Sequence, residues 1–279
     1  MTASHHHHHL DVAGVDTFVY DQGEGAMPLV CVHGNPDSAD MWLPMLERSG
    51  DLGRVVAADL PGFGRSARPS PAAFDSSVRA YADWFEALLD AAAIDRYRLA
   101  VHDWGSVGLA GALRRPERVE ALVALDIVPL NATYHWHWIA RWLWRPPIIG
   151  EVGMVALSRF TIDLLTRLQR PGFRSLDGAW LDRVGRDLDG GMKDAILRLY
   201  RSANPDVLGA AGANLGRLAC PALILWGEQD PYVPVEEARK LAHSLGGPAE
   251  VRTFTGGHWL GLDRPAVFDD ITAWLVAAG

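Results

Sequence analysis

Cysteine and long apolar runs are scarce in this sequence of 279 residues. Cys31 and Cys220 are its only cysteines, too few for the disulfide framework of a small secreted domain, although one bridge stays possible. No stretch runs 18 apolar residues without a charge, and the start MTASHHHHHLDV lacks the apolar core of a signal peptide. We therefore expect a soluble, cytoplasmic protein with no membrane partner.

Positive charge is also in short supply. The chain has 26 Lys and Arg against 34 Asp and Glu, which gives a net charge of -8. Binding to nucleic acid needs a surplus of basic residues, so we expect no nucleic acid partner. A run of five histidines, His5–His9, has no fixed geometry for a metal ion, and residues 1–10 are predicted to be a tag-like or disordered N-terminus.

Short β-rich runs alternate with helical patterns through the first half of the chain. Their nearly continuous apolar character is typical of a parallel sheet that is covered on both faces. Between the second and third runs, residues 76–93 place Val78, Tyr81 and Phe85 on one helical face, which predicts a crossover helix. The predicted strands are residues 28–34, 54–60, 97–103 and 119–127, and later 220–230 and 249–257.

The pattern changes after Pro129. Residues from about 130 to 216 are helix-like and rich in aromatic residues and arginine, and the alternation resumes only beyond them. We therefore predict one α/β domain, residues 11–129 and 217–279, that carries residues 130–216 as an inserted helical cap.

An aspartate stands at the turn between a predicted strand and a predicted helix, in VHDWGS (101–106). With VCVHGNP, ADLPGFGRS, LWGEQDPYVP and GGHWLGLDRP, in this order, the segment resembles the α/β-hydrolase fold, in the aspartate-nucleophile branch of haloalkane dehalogenases and epoxide hydrolases. The resemblance covers nearly the whole chain from residue 11 and implies a mostly parallel central sheet with helices on both faces. The elbow of that fold is normally GxSxG; Asp103 takes the place of the nucleophile, and Val101 is larger than usual.

Two other interpretations of this turn stay open. Ser106 could be the nucleophile of an ordinary serine esterase, although that register puts Trp104 where a small residue is needed. Asp103 could instead only cap the helix that begins near Ser106. Some proteins of this fold are ligand-binding proteins without turnover, so a non-catalytic role is a further alternative.

A carboxylate nucleophile needs help only in the second half of its reaction. Asp103 is ionised at neutral pH and can attack an sp3 carbon, which makes an ester. Hydrolysis of that ester needs a general base, and His258 in GGHW is the candidate. Asp230 precedes the histidine in chain order and is predicted to orient it, with Asp126 as the alternative acid.

The resemblance also implies donors for the developing negative charge. The backbone N–H groups of Asn35 and Trp104 would form the oxyanion hole. Their side-chain N–H groups look like the halide-binding pair of haloalkane dehalogenases, which favours dehalogenation of a small apolar haloalkane. We expect neither a cofactor nor a metal.

The predicted cap favours other leaving groups. Epoxide hydrolases protonate the alkoxide with cap tyrosines, which Tyr200 and, more loosely, Tyr134 resemble. The stretch YHWHW (134–138) also resembles the cap of fluoroacetate dehalogenase, which implies that His137, Trp138 and Tyr200 surround the leaving group. Epoxide opening is therefore the alternative activity. We interpret the tryptophans here mainly as packing of cap on core, and the oligomeric state stays open.

Overall fold

One eight-stranded sheet runs through the molecule, which a computed structural model describes over residues 5–278. The spatial order is β1-β2-β4-β3-β5-β6-β7-β8; β1 and β2 are antiparallel to their neighbours, and β3 to β8 are mutually parallel. The mostly parallel sheet with helices on both faces is confirmed. The strands are β1 His7–Val12, β2 Val15–Gln22, β3 Leu29–Val32, β4 Val55–Ala58, β5 Tyr97–His102, β6 Val119–Leu125, β7 Ala222–Gly227 and β8 Ala249–Phe254.

Twelve α-helices accompany these strands in the described residues. The helix predicted over residues 76–93 is α3. Ser77 caps its N-terminus, because the Ser77 side chain accepts a hydrogen bond from the Ala80 N–H group. The helices are α1 Leu43–Leu46, α2 Ser49–Leu52, α3 Val78–Ala91, α4 Ser106–Ala112, α5 Ile149–Ala156, α6 Arg159–Gln169, α7 Gly178–Asp187, α8 Gly190–Ser202, α9 Pro205–Ala211, α10 Glu236–Ser244, α11 Leu260–Asp263 and α12 Val267–Ala278.

The inner strands are buried on both faces, which is why they read as continuous apolar runs. In β3, Val30 and Val32 join the core on one side of the sheet, whereas Leu29 and Cys31 join the core on the other side. Cys31 and Cys220 are both free thiols, so the possible disulfide is not formed. None of the described helices has the length and apolar character needed to cross a membrane.

The histidine run differs from its prediction. We expected residues 1–10 to be tag-like or disordered; residues 1–4 lie outside the described residues, whereas His7–Val12 forms β1. The strand pairs with β2, and the His7 ring stacks on Phe18 at a centroid distance of 5.3 Å. Alternation along a strand puts His9 on the same face, where it also contacts Phe18. The packing of His7 and His9 on Phe18 accounts for the formation of a strand here. The sequence pattern of the histidine run alone did not show this apolar partner.

Between β6 and β7 all regular elements are helical. Residues 126–221 contain α5 to α9, two 3₁₀ turns, one π-helical turn and no strand. One of them, the π-helical turn Ala140–Trp144, follows the YHWHW stretch directly. This segment has the composition predicted for the cap.

Replacement of Gly111 by Ala tests the packing of α4 against α3. A Cβ atom at Gly111 would lie 2.8 Å from the Ala82 carbonyl oxygen and 3.0 Å from Phe85. We expect Gly111→Ala to lower the free energy of unfolding by about 1 to 3 kcal/mol, because the helices must separate. Equilibrium urea denaturation measures the loss.

Gly190→Ala is the matched control. A Cβ atom at Gly190, in the first turn of α8, meets nothing within 4 Å. This variant should be as stable as the parent or slightly more stable, since alanine loses less backbone entropy on folding. Equal stability of the two variants would contradict the close packing of α3 and α4.

Candidate active site

Five loops that leave the carboxyl ends of parallel strands meet at one edge of the sheet. In the register, Val32 pairs with Val101, and Leu125 pairs with both His102 and Leu225. Because these strand ends are level, the residues that follow them lie side by side. They are Asn35 after β3, Asp103 after β5, Asp126 after β6, Asp230 after β7 and His258 after β8.

Asp103 lies at a sharp turn between β5 and α4. Its φ of 49° is in the left-handed region, which residues other than glycine rarely adopt, so the surroundings must hold it there. Gly105 lets the turn approach β3, because a Cβ atom there would lie 2.3 Å from the Val32 carbonyl oxygen. Gly34 is needed too, since its Cβ atom would lie 2.4 Å from that of Asp103. The two glycines bring the carboxylate against the loop that follows β3.

Both oxygens of the buried Asp103 carboxylate face polar groups. The Asn35 backbone N–H donates to Oδ2 at 2.7 Å, and His258 Nε2 lies 3.4 Å from Oδ1. The side chain caps neither the adjoining 3₁₀ turn nor α4, so the interpretation of Asp103 as a helix cap is wrong. The Ser106 hydroxyl is buried and has no hydrogen-bond partner, so it is not bonded to a base. The His258 imidazole faces Asp103 instead.

Asp230 holds the opposite side of the His258 imidazole. Its Oδ2 lies 2.7 Å from His258 Nδ1, and its Oδ1 accepts from the backbone N–H groups of Tyr232 at 2.7 Å and Val233 at 2.9 Å. These backbone donors keep the carboxylate oriented. The imidazole thus bridges two carboxylates, from β5 and from β7.

Asp126, the alternative acid, has different contacts. Its Oδ1 accepts from the Gly227 N–H at 2.8 Å, and its Oδ2 has no hydrogen-bond partner. Burial, and then the negative charge of Asp230, raise the pKa of Asp126 well above its ordinary value, which favours the protonated form of this carboxyl. Among the described residues, Asp230 and not Asp126 is hydrogen-bonded to His258.

The contact between Asp103 and His258 favours the charged form of each. Burial lowers the pKa of His258, but Asp230 and Asp103 together raise it well above its ordinary value. Burial likewise opposes ionisation of Asp103, yet His258 and the Asn35 N–H hold the pKa of Asp103 below its ordinary value. The geometry therefore favours an ionised Asp103 beside a protonated His258.

A narrow pocket of about 50 Å³ lies beside Asp103 and is walled mainly by aromatic and aliphatic side chains. From the predicted cap, Tyr134, His137 and Tyr200 all line it, as we expected. Polar groups in an otherwise apolar wall are typical of a site for a small organic molecule. Among residues 5–278, no group of three or more His, Cys, Asp or Glu side chains could hold a metal ion.

Trp138 does not line this pocket. Its residue surface is 49% exposed, so the expectation that it borders the leaving group is wrong. Trp138 comes just before the π-helical turn Ala140–Trp144, and its ring lies on the outer side. Trp136 and Trp144 take the pocket side instead, and Trp136 stacks on Trp104 at a centroid distance of 5.3 Å.

One of the two predicted halide donors, the side-chain amide of Asn35, lies close to the hydroxyl of Tyr200: Asn35 Nδ2 is 3.4 Å from Tyr200 Oη. The Trp104 indole packs edge-on against the Tyr200 ring at a centroid distance of 5.0 Å, but its N–H group has no hydrogen-bond partner and Trp104 is not among the residues that line the pocket. Burial and the negative charge of Asp103 raise the pKa of Tyr200 well above its ordinary value, so it keeps its proton. The Tyr134 hydroxyl is engaged elsewhere, since it donates to the Tyr232 carbonyl oxygen at 3.1 Å.

Sequence reasoning missed several residues of the site. Tyr232 and Trp259 line the pocket and pack on the His258 ring at centroid distances of 5.2 and 5.0 Å. His102 Nε2 lies 2.9 Å from the His258 backbone oxygen and fixes that loop. The available signal was proximity in the chain, because each of these residues is within two positions of Asp103, Asp230 or His258.

A family model matches most of the chain. The model for the alpha/beta hydrolase fold matches residues 27–265, which include Asn35, Asp103, Asp230 and His258. A haloalkane dehalogenase from Mycolicibacterium paratuberculosis is 28% identical over 96% of this chain and 91% of its own length.

Other relatives have different names. An (E)-2-((N-methylformamido)methylene)succinate hydrolase from Acinetobacter baylyi is 28% identical over 92% of each chain. The structure of a variant of a putative epoxide hydrolase from Pseudomonas aeruginosa superimposes with a TM-score of 0.82, at 25% identity, over 100% of this chain and 97% of that one. The match to hydrolases is therefore general, and the names differ in the bond that is broken.

The pKa of His258 should depend on both carboxylates that it bridges. Asp230→Asn and Asp103→Asn should each lower this pKa, because each replacement removes a negative charge that favours the imidazolium. The change should be larger for Asp230→Asn, since its charge is the strongest influence that raises the pKa. NMR titration of the imidazole signals measures both changes.

Asp126→Asn is the control for this titration. It replaces a carboxyl that is already neutral with a group of the same shape, and the pKa of His258 should stay close to the parent value. A fall in Asp126→Asn together with no change in Asp230→Asn would show that Asp126 is the electrostatic partner of the histidine.

Proposed function

The chain belongs to the alpha/beta hydrolase fold family and is a hydrolase, and we propose that it hydrolyses a small haloalkane through an ester on Asp103. The observation that carries this proposal is the continuous set of contacts from the Asn35 N–H through Asp103 and His258 to Asp230. Asp103 stands where a nucleophile is needed, at the elbow, and is ionised without a base.

In the first step, a carboxylate oxygen of Asp103 attacks the carbon that carries the halogen. A carbon–oxygen bond forms, the carbon–halogen bond breaks, and the halide leaves with the electron pair. Displacement at an sp3 carbon needs no proton transfer, which fits a resting site in which His258 is protonated. The apolar pocket wall excludes water and so favours attack by the carboxylate.

The second step needs a neutral His258, and the first step supplies the condition for it. Alkylation removes the charge of Asp103, one of the two charges that raise the pKa of His258. The imidazole then gives its proton to solvent water and, as a neutral base, takes a proton from the water that attacks the ester carbonyl. The tetrahedral intermediate collapses when the bond between the carbonyl carbon and the alkoxy oxygen breaks, and the alcohol leaves with the proton that His258 had taken, which restores the Asp103 carboxylate. Asp230 stabilises the imidazolium that forms, and the backbone N–H groups of Asn35 and Trp104 receive the oxyanion.

The leaving halide would be received by side-chain donors beside the nucleophile. Asn35 lines the pocket with its Nδ2 at 3.4 Å from the Tyr200 hydroxyl, and this neutral hydroxyl adds a second donor there. The resemblance adds the Trp104 indole N–H, in a ring that packs against Tyr200. We propose residues 130–216 as the cap, since Tyr134, His137 and Tyr200 close the pocket from that side. The small pocket favours a small apolar substrate. The name of the mycobacterial relative supports this choice.

One observation favours epoxide opening as the second candidate. Tyr200 lines the pocket and keeps its proton, and its hydroxyl lies next to the Asn35 amide, where the oxygen of an epoxide would receive a proton as the ring opens. Tyr134 cannot share this task without breaking its hydrogen bond to the Tyr232 carbonyl. The name of the Pseudomonas protein supports this alternative.

Replacement of His258 by Phe should trap the covalent intermediate. Asp103 can still be alkylated in His258→Phe, but no base activates water, so the ester should persist. Intact mass spectrometry after exposure to a haloalkane should show a stable adduct, and peptide mapping should place it on Asp103.

The double variant Asp103→Asn, His258→Phe is the control and should form no adduct. An adduct on Ser106 would instead assign the protein to the serine esterases and overturn the proposal.

Asn35→Ala and Tyr200→Phe separate the two leaving groups. If a halide leaves, Asn35→Ala loses a hydrogen bond to developing charge, roughly 2 to 4 kcal/mol or about 30- to 1,000-fold in rate, and Tyr200→Phe matters less. If an epoxide opens, Tyr200→Phe removes the acid and should cost on the order of 100-fold. Single-turnover rates of ester formation, with both substrate classes, measure these effects.

Both variants must first be shown to fold, since Asn35 and Tyr200 are buried. Asn35→Ala removes only the side-chain amide and keeps the backbone N–H that donates to Asp103. A change in rate can therefore be assigned to the side chain. Dehalogenation at the parent rate by Asn35→Ala would rule out this amide as a halide donor.

A further inference from the structure

Exposed apolar side chains concentrate on one part of the surface. Among the described residues, eleven large hydrophobic side chains are exposed, and only Val276 lies outside residues 138–173. Apolar patches of more than a few hundred Å² are unusual on a monomer and mark interaction sites. The other ten, which we call the cap apolar face, are Trp138, Trp142, Ile148, Ile149, Val152, Val155, Phe160, Leu164, Leu168 and Phe173.

Two consecutive helices supply most of this face. Phe160, Leu164 and Leu168 follow one another at intervals of four residues in α6, so they lie along one side of that helix. In α5 the exposed residues recur at intervals of three, from Ile149 to Val155. Only residues 157 and 158 separate the two helices, so their exposed sides follow each other along the chain.

The opposite side of α6 forms part of the pocket wall. Ile162, Leu165 and Thr166 line the cavity beside Asp103, and Ile162 and Thr166 are buried. A single helix therefore separates the pocket from the cap apolar face. Whatever covers that face also holds the wall of the pocket.

The composition of this segment is that of a protein interface. Residues 138–174 contain six arginines, no lysine, one aspartate and one glutamate. Aromatic residues and arginine are enriched at interface cores, whereas lysine and acidic residues are depleted. Three of the arginines form ion pairs within the chain, which reduces the positive charge that two such faces would bring together. These pairs are Arg159–Asp182, Arg167–Asp163 and Arg170–Asp263.

The area is sufficient for a stable dimer. The ten side chains have exposed fractions between 49% and 83%, and at roughly 100 Å² each they offer on the order of 1,000 Å². A standard interface needs about 800 Å² per partner. A second copy of the chain presents the same face and so supplies an apolar partner of equal area.

We propose that the cap apolar face is the interface of a homodimer, in which the caps of two copies pack on each other across a twofold axis. In the dimer, α6 is held between the pocket and the partner subunit. This arrangement stabilises the pocket wall without adding a residue to the site, and it does not depend on which leaving group the enzyme accepts.

Sedimentation equilibrium of the full chain over about 1 to 100 µM tests the proposal. The parent should be a dimer with a Kd in the low micromolar range or tighter. Leu164→Glu and Val155→Glu each place a charge in the interface and should raise the Kd at least about 10-fold. Both positions are exposed and lie outside the residues that line the pocket, so both variants should fold, as circular dichroism can check.

Val276→Glu is the matched control, because it makes the same change at an exposed valine in α12, outside the face. It should dimerise as the parent does. A parent that stays monomeric over this range would overturn the proposal. So would a parent dimer that Val276→Glu dissociates while Leu164→Glu and Val155→Glu leave it intact. Binding of the monomeric parent to phosphatidylcholine or phosphatidylserine vesicles would overturn it in favour of a lipid surface.

Discussion

The imidazole of His258, held between the carboxylates of Asp103 and Asp230, is the interaction on which the rest of the site depends. All three groups are buried, and an isolated charge in such a place would cost several kcal/mol. The positive imidazolium compensates both carboxylates, and backbone N–H groups from Asn35, Tyr232 and Val233 complete their hydrogen bonds. The same compensation leaves the carboxylate of Asp103 ionised and makes the charge of His258 sensitive to any reaction at Asp103.

The sheet makes this arrangement possible because its parallel strands end at the same level. Each charged group follows a different strand, so the distances between them are set by strand register rather than by mobile loops. The left-handed turn at Asp103 and the close approach of Gly34 and Gly105 complete the geometry. The helices between β6 and β7 contribute the aromatic wall and the Tyr200 hydroxyl. The core thus holds the charged groups, and the inserted helices supply most of the wall of the pocket beside them.

Much of the fold could be predicted because burial leaves a local pattern in the chain. The six predicted strands and the helix α3 were found from apolar runs and helical periodicity, and the fold is confirmed. The pairing of Asp103, Asp230 and His258 was predicted from their order along a familiar fold, and their catalytic roles stay predictions. Trp138 was expected beside the leaving group, whereas Trp136 is the tryptophan of this stretch that lines the pocket, because alternate residues in YHWHW cannot be assigned to inside or outside before the helices pack. The strand formed by His7–Val12 was missed for a related reason, since its apolar partner Phe18 lies on another strand.

The sequence by itself determined that this is an α/β protein with a carboxylate at its elbow and, after later strands, an acid and a histidine. It also indicated a helical segment between the elbow and that acid. Only the tertiary structure decided that Asp230 rather than Asp126 meets the histidine, and that the Tyr200 hydroxyl lies next to the Asn35 amide. Asn35 and Tyr200 are 165 residues apart, yet their polar atoms are 3.4 Å from each other. Local patterns record how deeply each residue is buried, whereas such a distance depends on how the inserted helices pack on the sheet, and many helix positions satisfy the same pattern of burial.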